Sequence, residues 1–225
     1  MNIEPIARFR SPFKSKFGIP RQSGLVEEVE GEIVFEPSFR NPDFIRGLES
    51  FDYIWLIWEF SANRGKSKNA MARPPRLGGN KRVGVFATRS PFRPNGLGLS
   101  SVRVMGIEWE SSRGPVVKVK GADLMDGTPI FDIKPYVTYA DSHADARSGF
   151  VDTSEWPELQ VVVPEALQSR FTAADLAALR KVLALDPRPK VQHDAQKIYG
   201  MPFGNHDVRF RVEQGVLTVV EVVDL

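Results

Sequence analysis

Short runs of β-branched and aromatic residues, separated by Gly, Pro and Asn, dominate the chain up to about residue 140. Such runs are typical of strands. They predict strands at Ile3–Arg10, Glu32–Phe35, Tyr53–Phe60, Arg82–Thr88, Ser100–Trp109, Val116–Leu124 and Ile130–Tyr136. One short helix is predicted at Pro42–Leu48, with Asn41 as its cap. Strands without long helices between them indicate a barrel or a sandwich, not a doubly wound sheet.

The pattern changes near Ala140, where a polar stretch that reaches Trp156 predicts a linker. Beyond it, one helix is predicted from three leucines at helical spacing behind a capping box, followed by two prolines. The residues of this helix signal are Thr172, Asp175, Leu176, Leu179, Leu183, Pro187 and Pro189. Val208–Val212 and Val216–Val223 predict a hairpin around Gln214-Gly215.

These patterns together predict a mainly β protein with two domains. We expect an N-terminal β-barrel domain over residues 1–140, a linker over 141–156 and a small α+β domain over 157–225. Trp55 and Trp58 on the apolar third strand are both expected in the core.

The composition is that of a globular protein, with 42% hydrophobic and 26% charged residues. No apolar run approaches the roughly 20 residues of a membrane span, and the N-terminus shows no secretory signal. The absence of cysteine excludes disulfides, iron–sulfur clusters, thiolate zinc sites and a cysteine nucleophile. His143, His193 and His206 lack metal-ligand spacing. We therefore expect a cytoplasmic protein without a metal.

The net charge of +2 conceals a strong local bias. Leu25–Ala62 holds nine acidic and two basic residues, whereas Asn63–Arg82 holds seven basic residues and no acid. A basic loop rich in Gly and Pro can bind a phosphate backbone by releasing counterions. We predict contacts with a phosphate backbone for these cations and for Arg93, with a merely solvated loop as the alternative; the residues are Arg64, Lys66, Lys68, Arg73, Arg76, Lys81, Arg82 and Arg93.

The stretch Arg89–Ser100 predicts a rigid binding loop. Its prolines fix φ and its glycines permit tight turns, so its arginines are held on a stiff support. A structural connection with solvated arginines is the alternative. Gly96-x-Gly98-x-x-Ser101 is not a dinucleotide fingerprint, because the segment that follows predicts a strand where that motif needs a helix.

A third polar stretch runs from Asp123 to Tyr136. Asp126-Gly127 is a turn signal, and Asp132, Lys134 and Tyr136 alternate along one face of a strand. An acid, a cation and a phenol on one face predict the wall of a polar pocket, with a solvated edge strand as the alternative.

Assembled in order, these motifs closely resemble the TrmO family, also called TsaA-like or YaeB-like proteins. The resemblance covers most of residues 1–141 and extends less specifically to Tyr199-Gly200. It rests on Phe17–Gln22, Gly47–Ile57, Gly84–Asn95, Gly98–Ser100 and Asp126–Tyr136.

The resemblance implies a homodimeric β-barrel methyltransferase that uses S-adenosylmethionine. The acceptor it implies is N6-threonylcarbamoyladenosine at position 37 of tRNA, which would become its N6-methyl derivative. Ser61-Ala62 departs from the His-Gln pair that family members often have. By matching motif, the cofactor pocket would comprise Pro20, Arg21, Gln22, Ser61, Ala62, Arg89, Leu99, Asp126, Gly127, Thr128 and Pro129.

Methyl transfer to N6 also needs the acceptor proton to be lost or shared, so a nearby base would help. Asp126, Asp132 and Tyr136 are the catalytic candidates, without a ranking among them. Two other functions stay open at this point: a non-catalytic RNA-binding barrel that uses the basic loop, and an accessory barrel that binds an adenine-containing effector. Cofactor binding separates the first from the enzyme, and turnover separates the second.

Overall fold

The fold was analysed in a computed structural model, which describes residues 2–66, 69–78, 81–154, 157–188, 194 and 196–225. The first part of the chain is mainly β, as the sequence predicts. Its strands are β1 (Ala7–Arg10), β2 (Glu30–Phe35), β3 (Tyr53–Glu59), β4 (Met71–Ala72), β5 (Val83–Gly84), β6 (Leu97–Glu108), β7 (Val116–Lys120) and β8 (Pro129–Pro135).

Six of these strands pair in the order β1-β2-β7-β6-β3-β8, and β8 pairs back with β1, which closes a barrel. Every pairing in this ring is antiparallel. Side chains alternate between the inside and the outside, so that Ile54, Leu56 and Trp58 of β3 are buried in the barrel core. Trp58 is therefore a core residue as predicted, whereas Trp55 points outward and the prediction for it is wrong.

Several boundaries differ from the sequence prediction: β1 begins at Ala7 and not at Ile3, and β7 ends at Lys120 and not at Leu124. The strand predicted at Arg82–Thr88 is wrong, because only Val83–Gly84 pairs with β4 and the chain then makes a 3₁₀ turn over Val85–Ala87. That turn buries Val85 and leaves Phe86 exposed. Conversely, β6 begins at Leu97, inside the stretch read as a loop, because Leu97–Leu99 pairs with Ile57–Glu59. The helix predicted at Pro42–Leu48 is a 3₁₀ helix, Pro42–Ile45, capped by Asn41 as expected.

The described residues of the last part of the chain form one sheet and three α-helices. Its elements are α1 (Thr138–Asp141), β9 (Gln160–Val162), α2 (Glu165–Gln168), α3 (Ala173–Ala184), β10 (Tyr199–Phe203), β11 (His206–Glu213) and β12 (Val216–Asp224). The sheet order is β10-β11-β12-β9, with β9 parallel to β12. The predicted hairpin is confirmed as β11–β12, and Thr172 Oγ1 caps α3 by accepting from Asp175 N at 3.1 Å. Pro189 lies outside the described residues.

The residues Ser11–Val29, called the crossing segment below, leave the barrel strands and pack into the core of the C-terminal sheet. Phe13, Val26 and Val29 are fully buried there with side chains of α3 and of β10–β12. The Phe13 ring meets the Phe203 ring edge to face at 5.8 Å. Lys181 of α3 also pairs with Glu28 at 2.9 Å. The barrel and the C-terminal sheet are thus joined by shared packing as well as by the connection through residues 138–159.

Gly18 shows how close this packing is. It has φ +89°, and a Cβ built there would lie 2.2 Å from Sδ of the fully buried Met201. Gly24 in the same segment has a similar φ of +79° and open space around it. The two glycines therefore share the backbone strain that a side chain would bring and differ in packing.

We predict that Gly18→Ala destabilises the protein more than Gly24→Ala. Both variants incur the left-handed penalty of about 1–2 kcal/mol, and only Gly18→Ala adds about 1–3 kcal/mol of overpacking against Met201. Urea unfolding of the two variants and the wild type measures the difference. Equal losses would contradict the close contact of the crossing segment with β10.

Candidate cofactor and substrate site

The crossing segment meets the loop that begins at Arg89. The guanidinium of Arg89 donates a hydrogen bond to the side-chain oxygen of Gln22, and the Gln22 amide donates to the carbonyl oxygen of Arg21. Two sequence blocks that lie about 70 residues apart in the chain are thus in direct contact. An arginine held in this way is suited to bind a carboxylate.

Arg21 itself faces the C-terminal part of the chain. It lines a cavity of about 220 Å³ between the crossing segment and the end of α3, together with Leu185, Asp186 and Pro187. Desolvation of its guanidinium lowers the pKa of Arg21 to about 10, with Arg76 acting in the same direction and Asp186 against it. The cation stays protonated at neutral pH, since a pKa near 10 is well above 7.

The turn Asp126–Pro129 is tied to the start of the crossing segment. Asp126 Oδ1 accepts from Ser11 N at 3.1 Å, and Oδ2 pairs with Lys14 Nζ at 3.0 Å. Gly127 N donates to Phe9 O at 2.8 Å, and the Thr128 side chain is buried. Both carboxylate oxygens of Asp126 are therefore engaged, which favours a role in holding the turn over a role as a base.

The pair Ser61-Ala62 lies in a 3₁₀ turn after β3, and the crossing segment reaches it as well. Lys16 Nζ donates to Ala62 O at 3.1 Å and to Asn63 Oδ1 at 2.7 Å. Burial lowers the pKa of Lys16, and Lys66 lowers it further. Of the five blocks that the resemblance assigns to the cofactor, Pro20–Gln22 lies in the crossing segment. Three others contact that segment, namely Ser61-Ala62, Arg89 and Asp126–Pro129.

Leu99 and the polar face of β8 lie elsewhere, on the outer surface of the barrel. Leu99 is 57% exposed and pairs with Ile57, which pairs in turn with Asp132. Asp132 Oδ2 binds Lys134 Nζ at 3.0 Å, so the predicted common face of these two residues is confirmed. β8 pairs with β1 only at Pro129 and Ile130, so its polar part pairs with β3 alone, and the alternative of a solvated edge stays open.

Tyr136 follows β8 and completes this outer face. Its ring packs against Trp55 at 5.7 Å and against Tyr53 at 6.2 Å between ring centroids. The three catalytic candidates are therefore divided: Asp126 lies beside the crossing segment, whereas Asp132 and Tyr136 lie on the outer barrel face.

Part of the predicted tRNA surface forms a cleft of about 180 Å³ beside Ser61-Ala62. Arg64 in this cleft is paired with Glu59, which lowers the pKa of Glu59 and raises that of Arg64. Arg93 Nη1 donates to Thr88 O at 2.9 Å. The cleft is lined by Glu59, Phe60, Asn63, Arg64, Gly65, Lys66, Pro91, Phe92, Arg93, Asn95 and Gly96.

The other cations of the basic run are spread around a short β4–β5 ladder and a 3₁₀ turn over Pro75–Leu77. Arg73, Lys81 and Arg82 are exposed, whereas Arg76 Nη1 donates to Ser154 O at 3.1 Å. Lys68 lies outside the described residues. The run is therefore a surface with both solvated and engaged cations.

Sequence reasoning did not single out Asp123, whose buried carboxyl lies next to the Arg89 loop and the crossing segment in the structure. Ser100 Oγ donates to Asp123 Oδ1 at 2.6 Å and accepts from Trp58 Nε1 at 3.0 Å. Burial raises the pKa of the Asp123 carboxyl, while Ser100, Arg89 and the Ser23 backbone act in the opposite direction. The available signal was the inward position of Ser100 in an apolar strand, since a buried hydroxyl needs a partner.

The described residues contain no group of three or more His, Cys, Asp or Glu side chains placed to hold a metal ion. Within the same residues, every helix is too short or too polar to cross a membrane. His193 lies outside the described residues.

Comparison with known proteins gives consistent matches along the whole chain. The chain is 38% identical over 219 residues to the tRNA (adenine(37)-N6)-methyltransferase of Escherichia coli K12, covering 93% of this chain and 92% of that one. It is also 38% identical over 216 residues to a Pseudomonas aeruginosa protein named as a putative S-adenosylmethionine-dependent methyltransferase, covering 93% of this chain and 91% of that one.

Solved structures and family models agree with these relatives. A crystal structure of TrmO from Pseudomonas aeruginosa superposes with a TM-score of 0.78 at 32% identity, covering 99% of this chain and 98% of that one. The tRNA-methyltransferase O N-terminal domain matches residues 8–142, and the TrmO C-terminal domain matches residues 157–225. The chain therefore belongs to the TrmO (tRNA-methyltransferase O) family.

Proposed function

We propose that this protein transfers the methyl group of S-adenosylmethionine to N6 of adenosine 37 in tRNA, with N6-threonylcarbamoyladenosine as the acceptor. The observation that carries this proposal is the contact of Gln22 with Arg89, where two blocks assigned to the cofactor by resemblance meet in space. The names of the E. coli and P. aeruginosa relatives support the reaction and the donor.

The cofactor is proposed to lie along the crossing segment, between Gln22–Arg89 and the Asp126–Pro129 turn. S-adenosylmethionine supplies an electrophilic methyl on a sulfonium, which leaves as a neutral thioether. The task of the protein is then to align donor and acceptor, and alignment of this kind contributes several kcal/mol to catalysis. Arg89 would bind the carboxylate of the cofactor, and the anchored Asp126–Pro129 turn would hold the opposite wall.

The acceptor base is proposed to enter the cleft beside Ser61-Ala62. Phe92 is 42% exposed at this cleft and offers a ring for stacking. Lys66 and Arg93 line the same cleft and carry the charge that a threonyl carboxylate needs. Arg64 contributes less, because Glu59 already neutralises it.

Asp132 and Tyr136 remain the candidates for accepting the N6 proton, ahead of Asp126. Both oxygens of Asp132 also have partners, Ile133 N at 2.9 Å and Lys134 Nζ at 3.0 Å. The Asp132 side chain is, however, 45% exposed, against 21% for Asp126, and is therefore more accessible to a substrate. A base on the outer barrel face can serve a substrate only if another surface covers it.

A homodimer would supply that cover. The outer face of β3 and β6 exposes Tyr53, Leu97 and Leu99 next to half-buried Trp55 and Ile57. We place the dimer contact on this face, so that a second copy buries Leu99 and approaches Asp132. Sedimentation equilibrium tests it, since a monomer at all concentrations would contradict the contact. We also propose a cytoplasmic location, because the tRNA substrate is there.

We predict that the purified protein with S-adenosylmethionine methylates tRNA carrying threonylcarbamoyladenosine and leaves tRNA lacking that group unmodified. Mass spectrometry of the digested nucleosides shows the added methyl. Asp132→Asn and Tyr136→Phe are measured in the same assay. The substitution that removes the base should lower the methylation rate by about 10²–10⁴-fold. Methylation of both tRNAs at equal rates would contradict the threonylcarbamoyl acceptor.

We predict that Phe92→Ala weakens tRNA binding by about 1–3 kcal/mol, because it removes one base-stacking platform. Phe86→Ala is the matched control, since Phe86 is 78% exposed and does not line the cleft. Equilibrium binding of threonylcarbamoylated tRNA measures both variants. The same affinity in the two variants would remove Phe92 from the acceptor site.

We predict that replacing Lys66, Arg73 and Arg82 together by Ala flattens the slope of log affinity for tRNA against log salt by about 2–3 units. The control variant replaces Arg113, Lys118 and Lys120 by Ala and so removes the same amount of positive charge. In the wild type these three cations are paired with Glu32, Glu108 and Glu30, respectively. A salt series with each protein gives the slopes. If both triple variants change the slope equally, the basic run acts through net charge and not through phosphate contacts.

A further inference from the structure

The side chain of Asn63 lies where the crossing segment meets the acceptor cleft, which is the cleft of about 180 Å³ beside Ser61-Ala62. Asn63 is half-buried and lines this cleft. Its Oδ1 accepts a hydrogen bond of 2.7 Å from Nζ of Lys16, which also donates to Ala62 O at 3.1 Å. Lys16 is therefore held at two points on the turn that follows β3.

The contact with Lys16 fixes the orientation of the Asn63 amide. An ammonium group only donates hydrogen bonds, so the atom of Asn63 that faces Lys16 is the oxygen. The backbone of Asn63 is held as well, because its N–H donates to Phe60 O at 2.8 Å and its carbonyl accepts from Lys66 N at 3.2 Å. Nδ2 is turned away from Lys16 and carries two donors, for which the described residues provide no acceptor. These donors are available to a ligand in the cleft that Asn63 lines.

The acceptor cleft combines this neutral donor with two cations and an aromatic ring. Lys66 and Arg93 line the cleft and suit a carboxylate, and Phe92 offers its ring for stacking. The amide of Asn63 is uncharged and suits an uncharged acceptor such as a carbonyl oxygen. N6-threonylcarbamoyladenosine carries the three complementary groups: a purine, a carboxylate and, between them, a carbamoyl carbonyl that is bonded to N6.

We propose that Asn63 is a catalytic residue whose Nδ2 donates a hydrogen bond to the carbamoyl oxygen of the acceptor nucleotide, and that Lys16 is the positioning residue that orients the amide. This inference rests on the proposed function, in which the acceptor enters this cleft. It gives the crossing segment a part in the acceptor site as well as in the cofactor site, because Lys16 belongs to that segment.

A donor at the carbamoyl oxygen acts on the reacting nitrogen. When N6 loses its proton to the proposed base, the negative charge is shared between N6 and the carbonyl oxygen. N6 then forms a bond to the methyl carbon while the carbon–sulfur bond breaks, and the electron pair of that bond stays on sulfur. A preorganised amide donor at an oxygen where charge develops stabilises the transition state more than the ground state. Asn63 should therefore affect the rate of methylation more than the affinity for tRNA.

The test compares rate and affinity in two variants. Asn63→Ala removes the whole amide, whereas Asn63→Asp keeps an oxygen for Lys16 and removes only the donors. Single-turnover methylation of threonylcarbamoylated tRNA should fall by about 10²-fold in both variants. In Asn63→Ala, equilibrium binding of this tRNA should weaken by no more than about tenfold. Binding of tRNA that lacks the threonylcarbamoyl group, and calorimetric binding of S-adenosylhomocysteine, should be unchanged.

The orientation of the amide is tested by Lys16→Arg and Lys16→Met. Arginine also only donates hydrogen bonds, so Lys16→Arg should retain most of the methylation rate, whereas Lys16→Met should lower it about tenfold. In the Asn63→Ala background, Lys16→Met should cause no further loss of rate, because its target is absent. Equal rates in the two Lys16 variants, or losses that multiply in the double variant, would exclude Lys16 as the positioning residue.

Three results would overturn the role of Asn63. They are a wild-type rate in folded Asn63→Ala, an equal loss of affinity for tRNA with and without the threonylcarbamoyl group, or a loss of S-adenosylhomocysteine affinity, which would assign the amide to the cofactor. Should Asn63→Ala fail to fold on thermal unfolding, Asn63→Asp replaces it in each assay. A wild type that does not methylate the modified tRNA would instead contradict the proposed function, and the comparison of the two tRNAs in binding would still test the contact.

Discussion

The packing of the crossing segment into the C-terminal core is the interaction on which the rest of the structure depends. Three of its side chains are buried in that core, namely Phe13, Val26 and Val29. Their burial fixes the positions of the polar residues between and beside them. Lys16 reaches Ala62, Gln22 reaches Arg89 and Ser11 reaches Asp126. Hydrophobic burial of three side chains thus sets the positions of polar groups whose own hydrogen bonds are individually weak.

This arrangement gives the C-terminal sheet a structural part in the site. Met201 and Phe203 of β10 pack against Gly18 and Phe13, a few residues before Pro20–Gln22. Asp186 and Pro187, just after α3, line the cavity that holds Arg21. The C-terminal part is therefore more than an appended unit, because it shapes the segment that carries one of the cofactor blocks.

Alternation along the barrel strands divides the remaining site residues between two surfaces. On β6, Gly98 and Ser100 point inward to Trp58 and Asp123, whereas Leu99 between them points to solvent. Neighbours in sequence are thus assigned to opposite faces. A single pocket in one chain cannot use both faces at once, which is why a second copy on the outer surface is part of the proposed function.

The sequence by itself determined the local elements and the family. Runs of β-branched and aromatic residues specified β3 and the β11–β12 hairpin, and Thr172 with Asp175 specified the start of α3, because these signals act within a few residues. The motif blocks identified the family for the same reason. Gly200 and Pro202, however, concealed β10, whose partners lie in β11.

Only the tertiary structure decided which of these blocks meet. Asp123 accepts a hydrogen bond from Ser100 of another strand, and Arg64 is ion-paired with Glu59. Leu99 and Asp132 came to share an outer row through Ile57. Each outcome depends on the burial of distant apolar residues and on the pairing of strands that lie far apart in the chain, whose register no single turn fixes.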